Sequence, residues 1–124
     1  MRIEGYLDEN DQPRIIVIVT GIRKETSFDA IIDTGFDGYL CLPVQIAIQV
    51  GLELYGAQVS ELADGSMRDE LVFIGQVALE NQPNVEVEIS LTESEDALVG
   101  VALLTPYKLE IDFPKRMVFI EREE

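Results

Sequence analysis

Ala30-Ile31-Ile32-Asp33-Thr34-Gly35-Phe36-Asp37-Gly38-Tyr39-Leu40 sets an apolar run directly against an acid and a glycine. The preceding Ser27 to Ile32 is rich in strand formers, so Asp33 is expected at the end of a buried strand, with Thr34 and Gly35 turning the chain behind it. A carboxylate in that position is costly to remove from water unless a partner shares its proton. Asp-Thr-Gly occurs once in the chain, so if a second acid of the same kind shares that proton it comes from another subunit.

On the N-terminal side, Arg14 to Thr20 is a second β-branched run, joined to the first by the turn-like Gly21-Ile22-Arg23-Lys24-Glu25; the two read as neighbouring strands. On the C-terminal side, Pro43 opens and Gly51 closes a short helix, with Val44, Ala47 and Ile48 on one face. The alternation of Val44, Ile46, Ile48 and Val50 competes as a strand pattern, and the two punctuating residues favour the helix. Val59 to Leu62, the turn residues Asp64-Gly65 and Met67 to Phe73 predict a hairpin with a polar tip. Val85, Val87, Ile89 and Leu91 alternate with Glu86, Glu88 and Ser90 as in a strand with one wet face. Leu109, Ile111 and Phe113 repeat that pattern, Met117 to Ile120 forms a last strand, and Glu121 to Glu124 is expected as a frayed acidic end. Many short strands with one or two short helices predict an all-β, closed barrel-like fold rather than alternating βαβ units.

Composition narrows the chemistry. The 124 residues, 47% of them apolar, suffice for one core, so residues 1–124 are expected to form a single domain. Histidine is absent, which excludes Ser-His-Asp and Cys-His triads, histidine metal sites and an imidazole base. The single Cys41 lies in an apolar stretch and reads as packing. A formal charge of -15, with only nine Lys and Arg, argues against nucleic-acid and other acidic partners. The first ten residues lack an apolar signal core, and the run Ile15 to Val19 is too short to span a bilayer; a cytoplasmic protein without membrane association is expected. Glu93-Ser94-Glu95-Asp96 lacks the spaced ligands and turn glycine of a calcium loop and reads as a solvated turn, so neither metal nor other cofactor is expected.

Three segments together resemble the retropepsin-like aspartic proteases of clan AA, and more narrowly the small bacterial members whose active-site stretch reads Asp-Thr-Gly-Phe. They are Ile31 to Leu40 with Leu42-Pro43 after it, the hairpin Leu62-Ala63-Asp64-Gly65-Ser66, and Leu98-Val99-Gly100-Val101-Ala102-Leu103-Leu104. The resemblance implies a single-lobe acid-protease fold and a homodimer hydrolysing peptide bonds in peptide or protein substrates. Asp33 and its symmetry mate would hold one proton between them, because like charges that close do not both ionise. One carboxylate then activates a water while the other donates to the scissile carbonyl.

In this resemblance Thr34 braces the loop across the dimer axis, and the Gly35 amide donates a hydrogen bond that helps hold the dyad. Leu98, Val99 and Gly100 pack beside the active-site loop and precede a short helix. Asp64, Gly65 and Ser66 occupy the flap, a lid over an extended peptide. Phe36 and Asp37 border the substrate. The plain counterparts of these roles are a turn-stabilising hydroxyl, an ordinary hairpin turn and core packing. Glu61, Asp64, Asp69 and Glu70, offset by Arg68, would oppose acidic peptides at the flap. The chain departs from the retroviral pattern at Val101, where an arginine would pair with Asp37. Two rivals stand beside the protease: a catalytically inactive module of the same fold that grips peptides or proteins, and an acidic β-domain whose Asp33 only caps a turn.

Overall fold

A computed structural model describes residues 2–122. Its first three strands are β1 (Arg2–Leu7), β2 (Pro13–Thr20) and β3 (Glu25–Ile32), followed by β4 (Leu40–Pro43), helix α1 (Val44–Val50), β5 (Glu53–Glu61) and β6 (Met67–Leu79). The order then runs through β7 (Val85–Thr92), β8 (Leu98–Val99), helix α2 (Val101–Leu104), β9 (Tyr107–Asp112) and β10 (Met117–Arg122). The all-β expectation holds.

Alternation along each strand sends one set of side chains inward. In β2, Ile15, Val17 and Val19 are buried, as are Val87 and Ile89 in β7 and Val118 and Ile120 in β10. Each such side chain stabilises the fold by about 1.5–3 kcal/mol through its removal from water. The strands form one sheet in the order β5-β6-β7-β4-β8-β3-β2-β1-β10-β9, and an additional antiparallel pairing of β6 with β2 joins Val19 to Val77. That pairing closes a ring of six strands: β2, β3, β8, β4, β7 and β6. Strands β5 and β9 remain as edges.

Helix α1 forms where expected and ends at Gly51 as expected, with two differences of detail, in the role of Pro43 and in the buried face. Pro43 closes β4 and caps the helix instead of opening its first turn. Gly51 ends it in the left-handed region, at φ 72°, a conformation that costs a residue without a Cβ least. The buried face is Ala47 and Val50, whereas Val44 and Ile48 stay exposed, because the core lies on the side facing β4 and β7.

The strand limits also differ from expectation. Strand β6 runs to Leu79, well past Phe73, since Gly75 is packed against Leu52 and Ile89 instead of ending the strand. Phe113 lies beyond β9 and is exposed, so the inward pattern stops at Ile111. Glu121 and Arg122 are not frayed: they continue β10, paired with Lys108 and Tyr107 of β9. Glu123 and Glu124 lie outside the described residues. The N-terminal strand β1, for which the sequence reading made no provision, pairs with β2 and β10.

An ion-pair cluster secures the β1–β2 turn. Arg14 Nε donates to Asp8 Oδ2 at 2.7 Å, and its Nη2 to Asp96 Oδ1 at 3.1 Å, tying the turn to the segment before β8. The Arg14 hydrogen bond, followed by the Gln12 amide, holds the Asp8 carboxyl below the usual carboxylate range. A lowered folded-state value means that the contribution of this pair is complete above the ordinary Asp range and is lost as pH falls through the folded value. Asp8→Asn is therefore expected to lower the melting temperature near neutral pH, with the gap to wild type narrowing as pH falls below the ordinary Asp range. A gap that is constant across that range in thermal melts would refute this role for Asp8.

Candidate active site

Asp33 follows directly on β3, and its loop is held by a segment far away in sequence. Strand β3 pairs in parallel with β8, Ile31 opposite Leu98 and Ile32 opposite Val99. The Asp33 N–H donates to the Val99 carbonyl at 2.9 Å, the Gly100 N–H to Tyr39 at 3.0 Å, and the Val101 N–H to Phe36 at 2.9 Å. The Ala102 N–H reaches Gly38 at 3.2 Å. The loop from Asp33 to Tyr39 is thus fixed at several points by the 99–102 segment, and satisfying its backbone groups this way lets it sit against the core without lost hydrogen bonds.

Within the loop the Gly35 N–H donates to Asp33 Oδ1 at 2.9 Å, and the Phe36 N–H to the Asp33 carbonyl at 3.1 Å. The first bond orients the carboxylate. The other oxygen, Oδ2, accepts no hydrogen bond from the described residues. Asp33 is half-buried, while Thr34 and Gly35 are exposed beside it. The acid is therefore presented at the surface by a rigid loop, with one oxygen fixed and the other open.

Gly100 is indispensable to this packing. A Cβ there would lie 2.1 Å from the Gly38 carbonyl oxygen and 2.6 Å from Phe36 Cδ2. The Phe36 ring also covers Gly38, where an added Cβ would meet Cζ at 2.6 Å. Phe36 is consequently a filler between two glycines as well as a border of the adjoining groove. Gly100 also caps α2, whose Val101 is partly exposed. Asp37 is exposed and has no ion-pair partner among the described residues.

The β5–β6 hairpin places its stem, not its tip, opposite this loop. A groove of about 370 Å³ is lined by Phe36 to Leu40 on one side and by Gln58, Ser60, Glu70 and Val72 of the hairpin on the other; Glu88, Ile89 and Ser90 of β7 form its floor. Asp64, Gly65 and Ser66 do not line it. Both the N–H and Oγ of Ser66 donate to Asp64 Oδ1, at 2.9 and 2.6 Å, and these bonds hold the Asp64 carboxyl below the usual range. Gly65 adopts φ 86°, completing a tight turn. The structure thus brings Asp33 to Asp37 together with Leu98, Val99 and Gly100, and keeps the 64–66 turn apart as a self-bonded tip.

The sequence reading missed Gln58, Ser60, Glu88 and Ser90 as groove residues. Their signal was alternation: in the paired register Gln58↔Glu70 and Ser60↔Arg68 share one hairpin face, while Ala57, Val59 and Leu71 share the other with the pairs Val59↔Asp69 and Glu61↔Met67. Cys41, in β4, is partly buried, and burial pushes its thiol up, with the Glu70 charge adding to the effect. Among the described residues no group of His, Cys, Asp and Glu is placed to hold a metal ion, and no helix is long and apolar enough to cross a membrane.

Comparison with solved structures places this architecture. The chain superposes on a retropepsin-like aspartic protease from Rickettsia conorii with a TM-score of 0.66 and 17% identity, over 97% of this chain and 90% of that one. EIAV protease in complex with the inhibitor HBY-793 matches with a TM-score of 0.55 and 15% identity, over 79% and 89% of the two chains. The retroviral protease-like domain of Ddi1 from Leishmania major matches at 0.50 and 14% identity, over 90% and 94%. No protein-family description and no curated protein matches the sequence. The fold is that of the retropepsin-like aspartic proteases.

Proposed function

We propose that the chain is one subunit of a homodimeric aspartic endopeptidase, each subunit a single domain contributing one Asp33. The observation that carries this reading is the setting of that carboxylate: Oδ1 is fixed by the Gly35 N–H, Oδ2 has no hydrogen-bond partner among the described residues, and the loop beneath is clamped by the 99–102 segment. What sets Asp33 apart from a turn-capping acid such as Asp64 is the clamp on its loop by a segment remote in sequence.

Two such loops meeting across a two-fold axis would hold their acids close enough to share a proton. The ionised carboxylate takes a proton from a water as that water attacks the scissile carbonyl, and the protonated one donates to the carbonyl oxygen. Breakdown of the tetrahedral species returns a proton to the leaving amine, so no metal or covalent intermediate enters. In such a dimer the exposed Thr34 would brace one loop against the other, and Leu98, Val99 and Gly100 would support each from behind. The β5–β6 hairpin forms the lid, closing over an extended peptide.

A second reading, a peptide-binding module without turnover, is favoured by the lone Asp37, whose retroviral ion partner is replaced by Val101. One experiment separates the two. Wild-type chain is mixed with increasing Asp33→Asn chain at constant total concentration and allowed to exchange subunits, while peptide cleavage and sedimentation are followed. A shared dyad requires activity to fall as the square of the wild-type fraction in a dimeric species. A linear fall, or activity in a monomer, would overturn the dyad; binding without turnover by the wild type would select the module.

A further inference from the structure

We infer that two copies of this chain join through the free edge of β9, paired antiparallel so that Leu109 meets its own counterpart and Lys108 faces Glu110 of the partner subunit. This rests on the homodimer reading above and adds to it the surface that builds the dimer. Among the described residues the sheet ends in two edges, β5 and β9. The terminal strands offer none: β1 is held between β2 and β10, and β10 between β1 and β9.

The two edges are not equivalent. Strand β5 is interrupted by a register shift between Leu54 and Gly56, an irregularity that blunts an edge against pairing, and it carries no Lys or Arg. Strand β9 is regular, all six of its residues pairing with β10 without a shift. On one of its faces Tyr107, Leu109 and Ile111 pack against the core yet stay half-buried. A straight edge of this kind leaves a row of backbone N–H and C=O groups and a strip of apolar surface for a further strand to cover. Strand β9 is also the edge next to the Asp33 clamp along the chain, separated from Gly100 by α2 and Thr105-Pro106 alone.

Charge selects the register. Residues opposite one another in an antiparallel pair lie on the same face, so a symmetric self-pairing that keeps most of β9 engaged is centred on Leu109 or on Glu110. The Glu110 centre brings two carboxylates face to face. The Leu109 centre sets Lys108 of each subunit opposite Glu110 of the other, twice by symmetry, while Tyr107 meets Ile111 and Leu109 meets Leu109 on the apolar face. Neither Lys108 nor Glu110 has an ion-pair partner among the described residues of its own subunit. A lysine on an edge ordinarily wards off pairing; at this position it admits one partner in one register.

The test is charge reversal, read as the dimer dissociation constant by sedimentation. Lys108→Glu and Glu110→Lys are each expected to weaken the dimer about tenfold, since each sets like charges opposite one another twice across the join. Both substitutions in one chain are expected to restore it, and an equimolar mixture of the two single variants is expected to form the mixed dimer in preference to either homodimer. Misfolding would be repaired by neither. Net charge alone has Glu110→Lys strengthen the association of so acidic a chain, and that outcome overturns the proposal. A dimer indifferent to both reversals also overturns it and leaves the homodimer reading standing, whereas a wild-type chain that is monomeric at every concentration removes both.

Discussion

Asp33→Asn is expected to abolish peptide cleavage, lowering kcat on the order of a thousandfold or more while leaving the fold intact. Asparagine neither takes a proton from water nor donates one to a carbonyl at useful rates, so the shared-proton chemistry has no substitute elsewhere in a chain without histidine. The fold is expected to survive because the amide oxygen accepts the Gly35 N–H that Asp33 Oδ1 accepts now. A melting temperature close to wild type together with lost activity would locate the effect in chemistry. Cleavage within a few-fold of wild type would exclude Asp33 as the reacting acid.

The second large effect is structural. Gly100→Ala would drive a methyl group into the Gly38 carbonyl oxygen at 2.1 Å and the Phe36 carbonyl oxygen at 2.8 Å, both backbone atoms that yield only if the loop moves. A loss of about 3 kcal/mol or more is expected, with loss of whatever function the Asp33 loop performs. Gly38→Ala provides the contrast, since its added methyl meets only the far side of the Phe36 ring, at 2.6 and 2.8 Å. Phe36→Leu is expected to recover most of the stability of Gly38→Ala and little of that of Gly100→Ala. Denaturant unfolding of the two double variants checks this, and equal rescue would show that the clash with the ring, not the backbone, governs both sites.

Much of this architecture was legible from local pattern. Alternation around Val87 and Ile89 identified β7, and the paired punctuation of Pro43 and Gly51 identified α1, because both signals depend only on neighbours in sequence. Strand β1 was not legible for a specific reason: its centre is Gly5, a poor strand former, required there because a Cβ would lie 2.1 Å from the Arg14 carbonyl oxygen across the β1–β2 pairing. Short β4 and β8 owe their existence to parallel partners distant in sequence, which no local window contains. At the site, Asp-Thr-Gly and the Leu98 to Gly100 segment pointed to one another through family resemblance. The filling role of Phe36 and the inward polar face of the hairpin needed coordinates, since each depends on which residues oppose it.

The clamp on the Asp33 loop also orders events in time. Its hydrogen-bonding partners, Val99 to Ala102, lie more than half the chain downstream of Asp33, so the local Gly35 and Phe36 bonds alone do not fix the loop. Contacts between such remote segments pay their loop-closure entropy before any gain is returned, and they form late. A nascent or partly unfolded chain would accordingly carry Asp33 on a slack segment with no fixed geometry. The geometry around Asp33 therefore depends on completion of the ring.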